Sequence, residues 1–183
     1  MDCAYRNEMD RATWILTSGR RRRLQQNTSI ILKEIMTRLR ITAGGYTFLA
    51  ETHSDAPRTV QAFLKLLPYR QRLIHVRWSG EGCWIPLDEF KLEHDDKPIG
   101  FENHTSHPSV GDILFYPGGY SETEIIMAYG ACSFSSKMGQ LAGNHFMTIV
   151  EGMEQLRALG EKVLWEGAQD VLFECIDNID LKT

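Results

Sequence analysis

Thr37-Arg38-Leu39-Arg40-Ile41-Thr42-Ala43-Gly44-Gly45-Tyr46-Thr47-Phe48-Leu49-Ala50-Glu51 is the stretch that decides the fold. Leu39 and Ile41 alternate with charged and polar neighbours, and an extended run resumes after two glycines. A period of two suits a half-buried strand, and two such runs around a short glycine-bearing loop form a β-hairpin. The chain then changes period. Asp55 is the expected N-cap and Pro57 fits a first helical turn, where its missing N–H is not needed. Val60, Phe63, Leu64 and Leu67 recur at helical spacing until Pro68 stops the helix.

Outward from this hairpin and helix, residues 73–78, 83–87, 112–116, 123–129, 144–150 and 170–176 read as further strands, and 153–159 as a short helix ended by Gly160. Many short strands with only two helices predict a mainly β domain, a barrel or sandwich. Residues 88–109 are polar and irregular, and loops of that length in compact domains tend to serve function. Residues 1–29, with the basic run Arg20-Arg21-Arg22-Arg23 and few apolar anchors, read as a flexible N-terminal extension, and 30–183 as the barrel domain.

Composition narrows the functional classes. The 183 residues are 43% hydrophobic and 24% charged, as in an ordinary globular protein. A net charge of −4 gives no global attraction to nucleic acid, and no apolar run reaches the roughly 18 residues that span a bilayer. Arg6, Glu8, Asp10 and Arg11 break up any leader-like apolar stretch, so a cytoplasmic location is expected. Cys3, Cys83, Cys132 and Cys175 are scattered without a CxxC pair, which suits reduced thiols better than disulfides or a thiolate metal site. Exposed strand edges favour a homo-oligomer.

The segment Ala56-Pro57-Arg58-Thr59-Val60-Gln61-Ala62-Phe63 resembles the helix start that follows the first hairpin of cyclophilins. Ile149-Val150-Glu151-Gly152-Met153-Glu154-Gln155-Leu156 is similar to the late cyclophilin strand that leads into a short helix. Between them, His75 and Arg77 stand where the prolyl isomerases carry a Phe-His-Arg strand, but with one residue between them. In a strand that spacing changes which residues share a face, so Arg77 is not carried over as the isomerase arginine. Longer segments, WSGEGCWIPL (78–87), ENHTSHPSVGDILFYPGGYSETEI (102–125), GQLAGNHF (139–146) and LWEGAQDVLFE (164–174), resemble a bacterial cyclophilin-like family of unknown function. The resemblance implies a cyclophilin-like closed β-barrel with two short helices. Cucumopine synthase, a distant member of the same fold group, condenses histidine with a keto acid, which illustrates what such a barrel hosts.

Candidate chemistry is acidic. Glu122 and Glu124 alternate into an apolar run, which places both on one strand face, and a buried unpaired carboxylate takes on the raised pKa of a general acid or base. Glu81 lies in a Ser-Gly-Glu-Gly turn between Trp78 and Trp84, whose indoles are expected to wall a ligand at the barrel mouth. His145, on a strand bordering the interior, completes the catalytic set of Glu81, Glu122, Glu124 and His145. Ser79, Asn103, Tyr129 and Lys137 join Trp78 and Trp84 as substrate contacts, Lys137 toward an anionic group. The loop histidines show no metal-ligand spacing, so neither a metal nor a cofactor is expected. Carboxylates accept N–H donors, so the expected partner is a small polar metabolite of amino-acid or cyclic-amide type. The alternative is a peptide- or protein-interaction module with little or no prolyl isomerase activity.

Overall fold

The computed structural model of the protein describes residues 37–176. The expected N-terminal extension and its arginine run therefore lie outside the described residues. The chain opens with the expected hairpin, β1 (Arg38–Ala43) and β2 (Tyr46–Thr52), turned by Gly44 and Gly45 at φ of +57° and +91°. Two successive positive φ values are what a tight two-residue hairpin turn demands, and glycine supplies them without steric cost. Helix α1 (Pro57–Leu64) follows, then β3 (Tyr69–His75), a 3-10 turn (Arg77–Ser79) and β4 (Gly80–Pro86). Three two-residue strands, β5 (Glu93–His94), β6 (Lys97–Pro98) and β7 (His104–Thr105), punctuate the long loop. Next come β8 (Asp112–Tyr116), β9 (Glu124–Cys132), a small hairpin of β10 (Ser135–Ser136) and β11 (Gly139–Gln140), and β12 (Gly143–Glu151). A second 3-10 turn (Met153–Gln155) leads into α2 (Leu156–Glu166), and β13 (Gln169–Cys175) ends the domain.

Eight strands close into an antiparallel barrel in the order β2-β1-β13-β3-β4-β9-β8-β12, and pairing of β12 back onto β2 shuts the ring. Closure removes the free edges that an open sheet would expose. The pairing register identifies the inner face. Ile41 lies between Phe48 and Phe173, and Cys83 opposes Met127, which in turn opposes Ile113. These side chains are all essentially buried, so the interior is packed solid. Phe63 of α1 plugs it, its ring edge-on to Tyr69, Phe146 and Phe173 at 5.1–5.4 Å. Each such ring contributes about 1.5–3 kcal/mol through burial.

Several boundaries moved: α1 ends at Leu64 rather than just before Pro68, β4 starts at Gly80, which puts Glu81 on a strand instead of in a turn, and β9 runs on to Cys132. β3 begins at Tyr69 rather than residue 73, because Tyr69 and Gln71 are half-buried while Arg70 and Arg72 face solvent. Helix α2 runs six residues beyond Gly160, which sits inside it; Gly167, at φ +89°, ends it instead. The reason lies across the barrel wall, where a Cβ on Gly160 would come within 2.5 Å of the Tyr129 ring. Glycine is there for close packing, not for a cap.

The cap of α1 also comes from elsewhere. Ala56, not Asp55, is its N-cap, and it makes no side-chain bond. Glu102, 43 residues on, accepts hydrogen bonds from Thr59 N at 2.6 Å and Thr59 Oγ1 at 2.7 Å, and pairs with Arg58 at 3.1 Å. Its own backbone N–H donates to the buried Asn144 Oδ1, so the long loop is tied to both α1 and β12. A carboxylate at a helix N-terminus satisfies orphan donors and complements the dipole. Glu102→Ala is expected to cost about 1–2 kcal/mol in urea denaturation, as loss of a cap does; a change near zero would rule out this capping role.

Candidate functional site

The ends of β3, β4 and β9 meet α2 at one rim of the barrel. Between them lies a cleft of about 340 Å³ lined by His75, Arg77, Glu81, Tyr129, Leu164 and Trp165. His75 closes β3 on the inward face, where the imidazole Nε2 lies 2.7 Å from the Tyr129 hydroxyl. Its Nδ1 is buried without a hydrogen-bond partner. Burial, aided by the charge of Arg77, pulls the His75 pKa down, which favours the neutral ring. Burial pushes the Tyr129 phenol up, so it stays protonated. Glu81 is held over Gly130, where no side chain obstructs it. One of its oxygens accepts from Ala131 N at 2.8 Å, and the other pairs with Arg157 of α2 at 2.9 Å. Those partners hold its pKa below the usual carboxylate value, so Glu81 is ionised. The rim therefore presents a fixed anion, an exposed cation and a phenol backed by a neutral imidazole whose second nitrogen is buried and unpaired.

Glu124 stands elsewhere. It pairs in register with Pro86 and Tyr116, on the strand face that carries Ile126 and Leu114, opposite to the barrel interior. Outside this wall, Val76, Leu114, Tyr116, Ile126, Phe134 and Leu141 form a second apolar cluster under the β10–β11 hairpin. Glu124 is only 2% exposed there, and burial, then the charge of Glu122, pushes its pKa up to about 8, opposed by the Trp84 indole N–H. The indole N–H is too poorly placed for a full hydrogen bond, so Glu124 Oε1 and Trp84 Nε1 are both buried without a well-formed one. The Glu122 carboxyl is raised by burial and by neighbouring Asp88. The expectation that both carboxylates share one strand face beside the ligand is thus corrected: Glu124 lies on the covered outer wall, and Glu122 stands in the loop before β9.

His145 is also on the outside. It opposes Leu114 at a bulge in β12. Its Nε2 lies 3.2 Å from Asp112 Oδ1 and 2.7 Å from Thr148 Oγ1, and its ring packs 4.6 Å from that of His53. Burial would raise the Asp112 pKa, but the hydrogen bonds from His145, Ser109 N and Thr148 win and lower it. Asn103, at φ +44°, donates to His145 O at 2.9 Å. Trp78 and Trp84 pair edge-to-face at 5.7 Å along the outer wall instead of walling Glu81. Ser79 is buried and exchanges hydrogen bonds with Ser135 O and N, clasping the small hairpin. Lys137 lies exposed at that hairpin's tip.

Of the ten expected residues, the rim cleft thus brings together Glu81 and Tyr129. His75, Arg77 and Trp165 were not among them. His75 had a legible signal, since it shares the inward face of β3 with Leu73. Trp165 and Arg157 had none, because their position depends on how α2 docks. The buried Cys83 and half-buried Cys132 offer no nucleophile, their thiols pushed up to about 12 and about 11 by burial. Among the described residues no cluster of three or more His, Cys, Asp or Glu could hold a metal, and no helix is long and apolar enough to cross a membrane.

Fold and cleft together define a small closed barrel with a ligand-sized opening beneath one helix. The chain belongs to the family described as protein of unknown function (DUF3830), whose pattern matches residues 39–175. No curated protein matches it. The solved structure of McbB in complex with tryptophan has a TM-score of 0.55 at 17% identity, over 74% of this chain and 44% of McbB. This chain therefore spans less than half of McbB's length. The solution structure of the hypothetical protein AF2241 from Archaeoglobus fulgidus has a TM-score of 0.52 at 19% identity, over 78% of this chain and 96% of that one. At these identities the likeness concerns the fold.

Proposed function

We propose that the protein binds, and by proton transfer transforms, a small metabolite of amino-acid or cyclic-amide type in the rim cleft. The observation that carries this reading is the convergence of His75, with its unpaired Nδ1, on Tyr129, Glu81 and Arg77 around a space of about 340 Å³. Cavities of roughly 300–1,000 Å³ with a few convergent polar groups are the usual form of small-molecule sites. A zwitterion matches the charges: its ammonium to Glu81, its carboxylate to Arg77. With Nε2 committed to Tyr129 and Nδ1 buried, the imidazole acts on a ligand through the Tyr129 hydroxyl, as acceptor or donor according to the tautomer. A neutral imidazole backed by a phenol is suited to general acid–base work near neutral pH. The tryptophan in the McbB structure makes that amino acid the first probe. Glu122, Glu124 and His145 have no part in this cleft.

A thermal-shift screen of free amino acids and cyclic dipeptides, starting with tryptophan, tests the reading. A true ligand at ~100 times its Kd stabilises by about 2.7 kcal/mol, a shift of several degrees in Tm. Glu81→Gln and Arg77→Ala should each remove most of that shift, while Lys137→Ala leaves it intact. If every stabilising compound acts equally on wild type and both cleft variants, the site is not here.

A further inference from the structure

A second cleft, of about 310 Å³, opens on the outer wall away from the rim, lined by Phe101, Tyr116, Tyr120, Gln140 and the backbone of Gly118 and Gly119. Its construction is specific. Phe101 and Tyr120 are large side chains about half exposed, at 51% and 56%, yet both are held by the buried Tyr116. The Phe101 ring lies 6.1 Å from that of Tyr116, inclined at 54°; the Tyr120 ring lies 6.5 Å away at 68°. The Tyr120 hydroxyl donates to the Gln140 carbonyl, which fixes the outer ring against the small hairpin. Gly118 and Gly119 adopt φ of +91° and +146° and leave the floor open, because a Cβ on Gly119 would meet the Tyr116 hydroxyl at 3.0 Å.

We propose that this cleft is a binding site for a compact organic cation, an alkylated ammonium or guanidinium group. Three aromatic rings line one space, and the face of an aromatic ring carries the negative pole of its quadrupole, which attracts a cation. Phe101 and Tyr120 are inclined to Tyr116 at 54° and 68°, so no flat occupant stacks on all three rings at once, which favours a compact group of no preferred plane. No lining side chain is charged. The carboxyl of Glu124 lies across the strand pair from Tyr116, and Glu122 stands two residues before it. The nearby cation, Lys91, reaches toward Gly118 and is 3.5 Å from Thr123 Oγ1.

Calorimetric titration of the full chain with choline, tetramethylammonium and methylguanidinium tests the site, with 3,3-dimethyl-1-butanol as the uncharged counterpart of choline. At least one cation should bind, with the uncharged counterpart weaker than choline by roughly tenfold, the scale of desolvated cation–π contacts. Tyr120→Ala should weaken cation binding by a similar factor. Tyr120→Phe, which keeps the ring and removes only its hydroxyl tie, and Glu81→Gln, which alters only the rim, should leave it unchanged. The proposal is overturned if all three cations fail to bind, if the alcohol binds as well as choline, or if Glu81→Gln abolishes binding that Tyr120→Ala spares. Because the two clefts share no lining residue, failure here leaves the rim reading standing, and the converse holds.

Discussion

Glu124→Gln is expected to abolish a loss of stability that the wild type shows as pH rises from about 4.5 to about 8. In the unfolded chain this carboxyl titrates near 4.5; in the fold, burial holds its proton until about pH 8. Between those values the native state binds more protons than the unfolded state, so stability falls with rising pH. Below that window the carboxyl is neutral in both states and costs nothing; above it the full cost of an ionised, unpaired carboxylate is present. Each pKa unit corresponds to about 1.4 kcal/mol, so the difference across the window is on the order of 5 kcal/mol. Glutamine is nearly isosteric and does not ionise. Urea denaturation at pH 5, 7 and 9 should show the two proteins converging at low pH, with the variant increasingly the more stable at high pH. Glu122→Gln should give a smaller change in the same direction, since its charge adds to the rise at Glu124. Parallel pH profiles for wild type and Glu124→Gln would contradict the buried, unpaired placement on the outer wall.

The second large effect is expected at Gly160. Replacing glycine by alanine within a helix ordinarily gains about 1 kcal/mol. Here the added Cβ would meet three atoms of the Tyr129 ring at 2.5 Å. That ring is nearly buried and hydrogen-bonded to His75, so it has little room to yield. Overpacking of this kind costs roughly 1–3 kcal/mol, which reverses the sign expected from helix propensity. Gly160→Ala should therefore lower the urea midpoint and, by shifting the phenol from His75, weaken ligand binding at the rim. Gly167→Ala, where nothing lies within 4 Å of the new Cβ, is the comparison for backbone effects alone, since that position adopts φ +89°. Equal or higher stability of Gly160→Ala would mean that α2 does not press on Tyr129.

Much of the fold was legible because it is written locally. The alternation of Leu39 and Ile41, the Gly44-Gly45 turn and the Val60–Phe63 spacing each specify an element within a few residues, and all appear at the expected places. Elements were misjudged where a distant partner sets the local rule. Gly160 reads as a helix end until Tyr129 is known to lie against it, and α1 has no local cap because Glu102 supplies one from 43 residues away.

Which face of each strand looks inward was harder still. Along β1, apolar and polar residues alternate, so the sequence alone determined that Leu39 and Ile41 face the core. Along β9, Ile125, Ile126, Met127 and Ala128 are all buried, because the barrel interior takes one face and the β10–β11 hairpin covers the other. A strand apolar on both faces carries no periodic signal of direction. The sequence thus determined a mainly β domain with two helices, and its resemblance to a known family implied the closure of the sheet. Only the tertiary structure decided that Glu81 turns to the rim beside His75 while Glu124 lies behind the wall, since register and the docking of α2 are set by contacts between residues far apart in the chain.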